Sequence, residues 1–177
     1  MEEGKKEEIL ERIMIEYGSD LVRLAFSYVK DKETAKDMVQ NTFIKCYENL
    51  DNFRFESSIK TWLYRITINQ CKDYFRSWHF RKVQARSFLE SAIGTFLSSA
   101  EDKMIKNAES EEIRSLIFSL SKNYREVIFL YYYESLSIKE IADVAELNVN
   151  TVKTRLSRAK QRLKVLIEEG NAYESKI

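Results

Sequence analysis

Residues 137–163 read SIKEIADVAELNVNTVKTRLSRAKQRL, and this segment is the clearest indication of the fold of the C-terminal part of the chain. Its first third predicts a short helix over Ile138–Ala145, which the hydroxyl of Ser137 can cap. A brief turn at 146–150 precedes a strongly basic helix from Thr151 to about Glu168. Two short helices joined by such a turn are typical of a helix-turn-helix, the motif that lays its second helix in the major groove of DNA.

The basic helix sorts its side chains by type around its axis. A helix turns about 100° per residue, which aligns four apolar residues as a buried stripe: Val152, Leu156, Ala159 and Leu163. The opposite face is polar and uncharged, and cations flank it on both sides. The sequence has no acidic residue from Thr151 to Ile167, whereas a helix built only for stability mixes charge signs. The pattern therefore predicts phosphate contacts from the flanks and base contacts from the front.

Apolar periodicity predicts helices through most of the remaining chain. One helix begins near Tyr17, a second begins after Asp31 and ends near Leu50, and a third carries Trp62 and ends near Arg76. Residues 77–107 lose this periodicity, and helices return with Ile113 and over residues 123–133. We expect an all-α protein in which two small helical domains, 1–83 and 109–177, are joined by a flexible linker at 84–108.

The rare residues exclude several classes of protein. Proline is absent and the four glycines are scattered, so neither a dinucleotide fingerprint nor a P-loop can form. One histidine and two widely spaced cysteines, Cys46 and Cys71, predict no metal site and two reduced thiols. The longest apolar run, residues 127–133, is too short to span a bilayer, and the charged N-terminus is no secretory signal. We expect a cytoplasmic protein without a cofactor.

Charge is segregated along the chain although its total is only +1. The net charge is −4 over residues 1–51, +5 over 52–90, −4 over 91–150 and +4 over 151–177. The first basic block includes FRSWHFRKVQAR, residues 75–86, where aromatic rings alternate with cations. This composition is typical of surfaces that stack unpaired bases and follow a nucleic-acid backbone. The chain is therefore expected to contact DNA through both basic blocks, 52–90 and 151–177.

Four segments together resemble bacterial sigma factors of the extracytoplasmic-function type. Residues 37–43, DMVQNTF, and 52–76, NFRFESSIKTWLYRITINQCKDYFR, are similar to region 2 of that family. Residues 124–142, YREVIFLYYYESLSIKEIA, and 150–163, NTVKTRLSRAKQRL, are similar to region 4. The resemblance implies a subunit that binds core RNA polymerase at the clamp helices and the flap of the polymerase. Such a subunit reads the −10 and −35 promoter elements and is commonly held inactive by an anti-sigma factor.

The resemblance also implies roles for individual residues. The residues that fall where the family contacts the polymerase clamp are Asp37, Val39, Gln40 and Phe43. Those that fall where it reads the −10 element, around a loop at 55–60, are Lys45, Phe53, Lys60, Ile66, Asn69, Asp73 and Arg76. Those that fall on its −35 recognition helix are Asn150, Thr151, Lys153, Thr154, Arg155 and Arg158. No catalytic or metal-binding residue is implied.

Three positions depart from the family pattern. Phe55 stands where a glycine is usual, which predicts a stiffer loop and leaves its base preference open. Asn148 and Asn150 stand where proline and glycine are usual, and asparagine tolerates left-handed backbone and can cap a helix. We therefore expect the turn at 146–150 to form with these two asparagines.

Two other classes of function compete with this interpretation. A helix-turn-helix regulator that binds operators without polymerase explains the last helix but leaves DMVQNTF and the aromatic block unused. An enzyme acting on nucleic acid needs a metal site or a nucleophile paired with a base, and the single histidine makes that a poor match.

Overall fold

The computed structural model describes residues 3–53, 57–77 and 108–174, and every regular element in these ranges is helical. The N-terminal group comprises α1 (Glu3–Val29), α2 (Lys32–Asn49), a 3-10 turn (Leu50–Asn52) and α3 (Ile59–Arg76). The C-terminal group comprises α4 (Ala108–Ser119), α5 (Lys122–Ile128), a π-helical turn (Phe129–Tyr133), α6 (Ile138–Ala145) and α7 (Val149–Glu174). The predicted all-α class is confirmed. The predicted linker at 84–108 lies outside the described residues except for Ala108, where α4 begins.

The first helix is longer than the sequence predicted. It begins at Glu3, well before Tyr17, because Ile9 and Ile13 extend its apolar stripe by further turns among many charged residues. Ile13 is 6% exposed, and the predicted face of Leu21, Leu24, Ala25 and Tyr28 is buried. Helices α1, α2 and α3 pack on one another and enclose a shared core.

Side-chain caps fix where α2 and α3 begin. The carboxylate of Asp31 accepts the backbone N–H of Thr34 at 2.7 Å, as the sequence predicted. Ser58 accepts the N–H of Thr61 at 3.1 Å, which starts α3 beside the loop that precedes it. Such caps satisfy N–H groups that the first turn of a helix leaves without intrahelical partners. Both cysteines, Cys46 and Cys71, are free and fully buried in the N-terminal core.

The helix-turn-helix forms with its predicted cap. Ser137 and Glu140 make a reciprocal capping box at the start of α6. The helix ends at Glu146, whose φ of 57° lies in the left-handed region. The left-handed residue of the turn is thus Glu146. Asn148 acts through its side chain instead, because its Oδ1 accepts the N–H of Asn150 at 2.8 Å. Helix α7 begins at Val149, two residues before the predicted start.

The two helical groups pack directly against each other, α3 against α6 and α1 against α5. Their contacts combine polar bonds with apolar packing, since the buried apolar residues of both groups belong to one core cluster. Arg125 Nε donates to the carbonyl of Ser27 at 2.6 Å, and Lys30 Nζ donates to the carbonyl of Phe118 at 2.9 Å. Arg125 and Glu134 are only 5% and 3% exposed. Separation of the two groups would break these hydrogen bonds and would also expose the apolar side chains packed between them.

Candidate nucleic-acid interface

Helix α7 exposes a polar face flanked by cations and buries the predicted stripe. Val152 and Ala159 are fully buried and Leu156 is 5% exposed, because these residues pack in the core formed with α5 and α6. Leu163 is partly buried at the edge of that core. Lys153, Thr154 and Arg158 are exposed. The helix thus has one dry side and one side accessible to a ligand.

A shallow cleft of about 330 Å³ lies at the start of α7. Most of the predicted −35 set lines it, together with Tyr124 of α5. The lining residues from that set are Asn150, Thr151, Thr154, Arg155 and Arg158. Lys153 is exposed outside the lining. The structure therefore gathers five of the six predicted residues around one depression, where cations and hydroxyl groups converge.

Unlike the exposed cations Lys153 and Arg158 of α7, Arg155 is only partly exposed and forms an ion pair within the protein. Its Nη1 lies 3.3 Å from Glu126 Oε2, and its side chain is 23% exposed. The other oxygen of Glu126 accepts a 2.6 Å hydrogen bond from the hydroxyl of Tyr28 on α1. Burial raises the pKa of Tyr28 well above its usual value, and the adjacent Glu126 carboxylate adds to that rise. One carboxylate thus connects α7 to the N-terminal group.

Sequence reasoning missed Glu126 and its neighbour Arg125. Burial lowers the pKa of the Arg125 guanidinium, which donates three hydrogen bonds to backbone carbonyls. One signal was available: both charges stand next to the apolar run at 127–133. A charged pair beside a buried run has to find partners, since a buried charge without one is costly.

On α3, four of the predicted −10 residues share one face. Taking 100° per residue, Ile66, Asn69, Asp73 and Arg76 fall within about 80° of one another. We call these four residues the α3 stripe. They point away from the buried core residues Tyr64 and Cys71 of α3. Arg76 and Asp73 are exposed and form an ion pair at 3.4 Å.

The other three predicted −10 residues lie elsewhere. Phe53 stacks on Trp62 with ring centroids 4.7 Å apart, so it adjoins the α3 stripe through that ring. Lys45 is exposed on α2. Lys60 lies on the opposite side of α3 from the stripe, and its Nζ donates to the carbonyl of Glu134 at 3.1 Å. In this arrangement Lys60 therefore serves the contact between the two groups. The loop residues 54–56, including Phe55, lie outside the described residues.

The predicted polymerase-binding residues divide between surface and core. Asp37 and Gln40 are exposed on α2, and Phe43 is half-buried. Val39 is 4% exposed and packs in the N-terminal core, not on the predicted surface. Its side chain holds α2 in place, and the exposed part of the set is Asp37, Gln40 and the accessible edge of Phe43.

Two negative findings apply to the described ranges 3–53, 57–77 and 108–174. No three histidine, cysteine, aspartate or glutamate side chains there are grouped so that they could hold a metal ion. No helix there is long and apolar enough to cross a membrane.

The chain matches two family profiles and many known proteins. The profiles are Sigma-70 region 2, over residues 13–79, and Sigma-70, region 4, over residues 110–163. RNA polymerase sigma factor SigV of Bacillus subtilis is 31% identical over 89% of this chain and 90% of its own length. ECF RNA polymerase sigma factor SigM of the same organism is 32% identical over 87% and 92%. The ECF RNA polymerase sigma-E factor of Escherichia coli K12 is 32% identical over 85% and 82%.

Two solved structures share the fold. CnrH, solved in complex with the cytosolic domain of CnrY, gives a TM-score of 0.64 at 25% identity and covers 92% of this chain and 90% of that chain. The sigma factor RpoE of Bartonella quintana, solved with the anti-sigma factor NepR, gives a TM-score of 0.69 at 23% identity, with 89% and 96% covered.

Proposed function

The chain belongs to the extracytoplasmic-function group of the sigma-70 family, and on that premise we propose that it binds core RNA polymerase and directs it to promoters. One observation carries the proposal: a single chain presents a largely polar, partly exposed stripe on α3 and an exposed polar face with flanking cations on α7. A two-element promoter needs two such surfaces, whereas a simple operator needs one.

We assign −35 recognition to the start of α7. Arg158 and Thr154 are exposed and line the cleft that Tyr124 completes. An arginine can donate two hydrogen bonds to a guanine edge, and a threonine can meet a base or a phosphate. Lys153, Asn150 and the more buried Thr151 and Arg155 complete the assigned set.

We assign −10 recognition to the α3 stripe and to Phe53, which adjoins it through Trp62, and we include the exposed Lys45 of α2. The stripe combines an apolar side chain, an amide, a carboxylate and a guanidinium on one solvent-facing side of the helix. Such a mixture suits a base that has left the stack, because its ring needs a surface and its edge needs donors and acceptors.

We assign polymerase binding to the exposed face of α2. Asp37 and Gln40 are one turn apart and lie outside the core, and Phe43 continues the same side of the helix. A patch of this kind, one aromatic edge beside polar groups, is typical of protein interfaces. We further propose that the protein works in the cytoplasm by binding alone, without catalysis, and that an anti-sigma factor controls it.

The competing function is a helix-turn-helix regulator that binds operators without polymerase. It accounts for α7 and leaves α2 and the α3 stripe without a role.

The two functions separate in a binding experiment with the full-length chain. The purified protein is mixed with bacterial core RNA polymerase and passed over a size-exclusion column. Co-elution as a complex supports the sigma function. Separate elution, together with specific duplex binding by the free chain, would support the regulator instead.

A further inference from the structure

Two cations of α3 hold the end of α6 across the boundary between the helical groups. Arg65 Nε donates to the carbonyl of Asp143 at 3.2 Å, and Lys72 Nζ donates to the carbonyl of Ala145 at 2.8 Å. These carbonyls belong to the last turn of α6, where intrahelical donors are missing. The negative end of the helix dipole lies there as well.

The backbone around α6 leaves those two carbonyls for a partner outside the helix. After the left-handed Glu146, the N–H of Leu147 donates to the carbonyl of Ala142 at 2.9 Å. That bond closes the helix end on a carbonyl other than the two held by Arg65 and Lys72. The C-terminal cap of α6 is therefore supplied in part by the other helical group.

The two cations flank the α3 stripe. They are seven residues apart, so their directions differ by only about 20°, and they lie about 70° from the centre of the stripe. Both are half-buried while α6 covers them. A nucleic-acid strand that follows the stripe would bring its phosphates to this flank, where the end of α6 now sits. The strand and α6 cannot occupy the flank together.

Resting on the proposed promoter recognition, we propose that Arg65 and Lys72 bind the DNA backbone once the two helical groups separate, and that the carbonyl end of α6 stands in for phosphate until then. A carbonyl carries only a partial negative charge, so the two cations form stronger hydrogen bonds with phosphate oxygens. The exchange of α6 for DNA is favoured on that account. The same side chains thus hold the closed arrangement and contact the promoter in the open one.

The first test measures the salt dependence of promoter binding by the complex with core polymerase. The variant is Arg65→Ala with Lys72→Ala, and the control is Lys5→Ala with Arg12→Ala. The control removes the same charge from exposed positions on α1. Each lost phosphate contact lowers the slope of log K against log salt concentration by about 0.7–0.9. We expect the variant slope to be shallower by about 1.4–1.8, with the promoter preference kept and the control slope unchanged.

An equal slope in variant and control would overturn the proposed backbone contact. If the unsubstituted complex itself fails to bind promoters, the proposed function fails, and that result is distinguishable because it appears before any substitution. Arg65→Gln with Lys72→Gln is the second variant, which keeps polar side chains at the surface. Circular dichroism checks that all variants remain helical.

The second test asks whether Arg65 and Lys72 hold the two helical groups together in the protein without polymerase. Small-angle scattering gives the radius of gyration of the protein without polymerase. We expect Arg65→Ala with Lys72→Ala to increase it, because the helical groups lose two of the bonds that join them, while the Lys5→Ala with Arg12→Ala control stays compact. An unchanged radius in the α3 variant would overturn the claim that these cations hold the groups closed.

Discussion

The hydroxyl of Tyr28 on α1 donates a 2.6 Å hydrogen bond to Glu126 on α5, which stands 98 positions later in the chain. Both side chains are buried, at 3% and 6% exposure. Glu126 also pairs with Arg155 of the recognition helix at 3.3 Å. The position of a side chain assigned to DNA recognition is therefore tied to the contact between the two helical groups.

Replacing Tyr28 with phenylalanine should weaken that contact. The change removes a hydrogen bond to a buried carboxylate, which is worth about 1.5–3 kcal/mol. We expect the free energy of unfolding in urea to fall by that amount. Tyr131→Phe, which removes a hydroxyl from a more exposed ring, is the matched control and should change stability little. Equal effects of the two substitutions would show that the buried bond contributes nothing.

The contribution of the α6 capping box to stability can be measured by comparison with a serine that makes no side-chain cap. Ser137→Ala removes the oxygen that accepts the N–H of Glu140 at 3.2 Å, and it should cost about 0.5–2 kcal/mol of stability. Ser121 precedes α5 but makes no side-chain cap, so Ser121→Ala should be nearly neutral. Denaturant unfolding gives the free energy of unfolding of both variants. A loss of stability in Ser121→Ala as large as in Ser137→Ala would contradict the stabilising role of the capping box.

The same box predicts a pH dependence. Hydrogen bonds from the Ser137 hydroxyl and backbone N–H lower the pKa of Glu140 below its usual 4.5. A lowered pKa in the folded state contributes stability that is present above pH 4.5 and is lost as the pH falls further. The difference in stability between the native protein and Ser137→Ala should therefore shrink on acidification below about pH 4.5. A difference that stays constant down to about pH 3 would argue against the box.

The buried thiols predict loss of stability in alkali. Burial raises the pKa of Cys46 to about 11 and that of Cys71 to about 12, from the usual 9.0. In the unfolded chain both thiols ionise at a lower pH than in the folded protein. Their contribution to folding stability is therefore complete below about pH 9 and is lost as the pH rises towards about 11–12. The double variant Cys46→Ala with Cys71→Ala should lose less stability between about pH 9 and pH 11 than the native chain. An identical decline in both proteins would exclude the thiols as its cause.

The α2 surface predicts a loss of polymerase binding without loss of fold. Asp37→Ala or Gln40→Ala should weaken the complex with core polymerase, because both side chains are exposed and available to a partner. Glu7→Ala, an equally exposed site on α1, is the control. Affinity is measured by fluorescence titration and folding by circular dichroism. Normal affinity in both α2 variants would remove α2 from the interface.

Arg158 should read a base. Arg158→Ala is expected to cost about 1–3 kcal/mol of −35 discrimination if the guanidinium meets a base edge. A uniform loss across all promoter sequences would assign Arg158 to phosphate contact instead. Binding to matched and mismatched −35 duplexes by the polymerase complex measures the difference.

Local patterns were enough to predict most helices of this fold. The caps at Asp31 and Ser137 marked where α2 and α6 begin, and apolar spacing placed the stripe of Val152, Leu156 and Ala159. The start of α1 was missed because its apolar residues, Ile9 and Ile13, stand among charges. The π-helical turn at Phe129–Tyr133 was missed because all of its residues also suit an ordinary helix.

The contact between the two groups could not be predicted in the same way. It joins single polar side chains, such as Lys72 and Arg125, to backbone carbonyls far away in sequence. A carbonyl acceptor leaves no trace in the sequence, since every residue has one. The exposed polar face of α7 was predicted from its pattern, whereas the contact of Lys60 with the carbonyl of Glu134 was not.

Reconstituted transcription tests whether the protein acts as a sigma factor. The full-length protein is added to bacterial core RNA polymerase on a library of promoter sequences, and transcript starts are mapped. We predict specific initiation that requires both components, with sequence preferences at two elements upstream of the start. Specific DNA binding by the chain alone, with no polymerase association and no initiation, would contradict the sigma function.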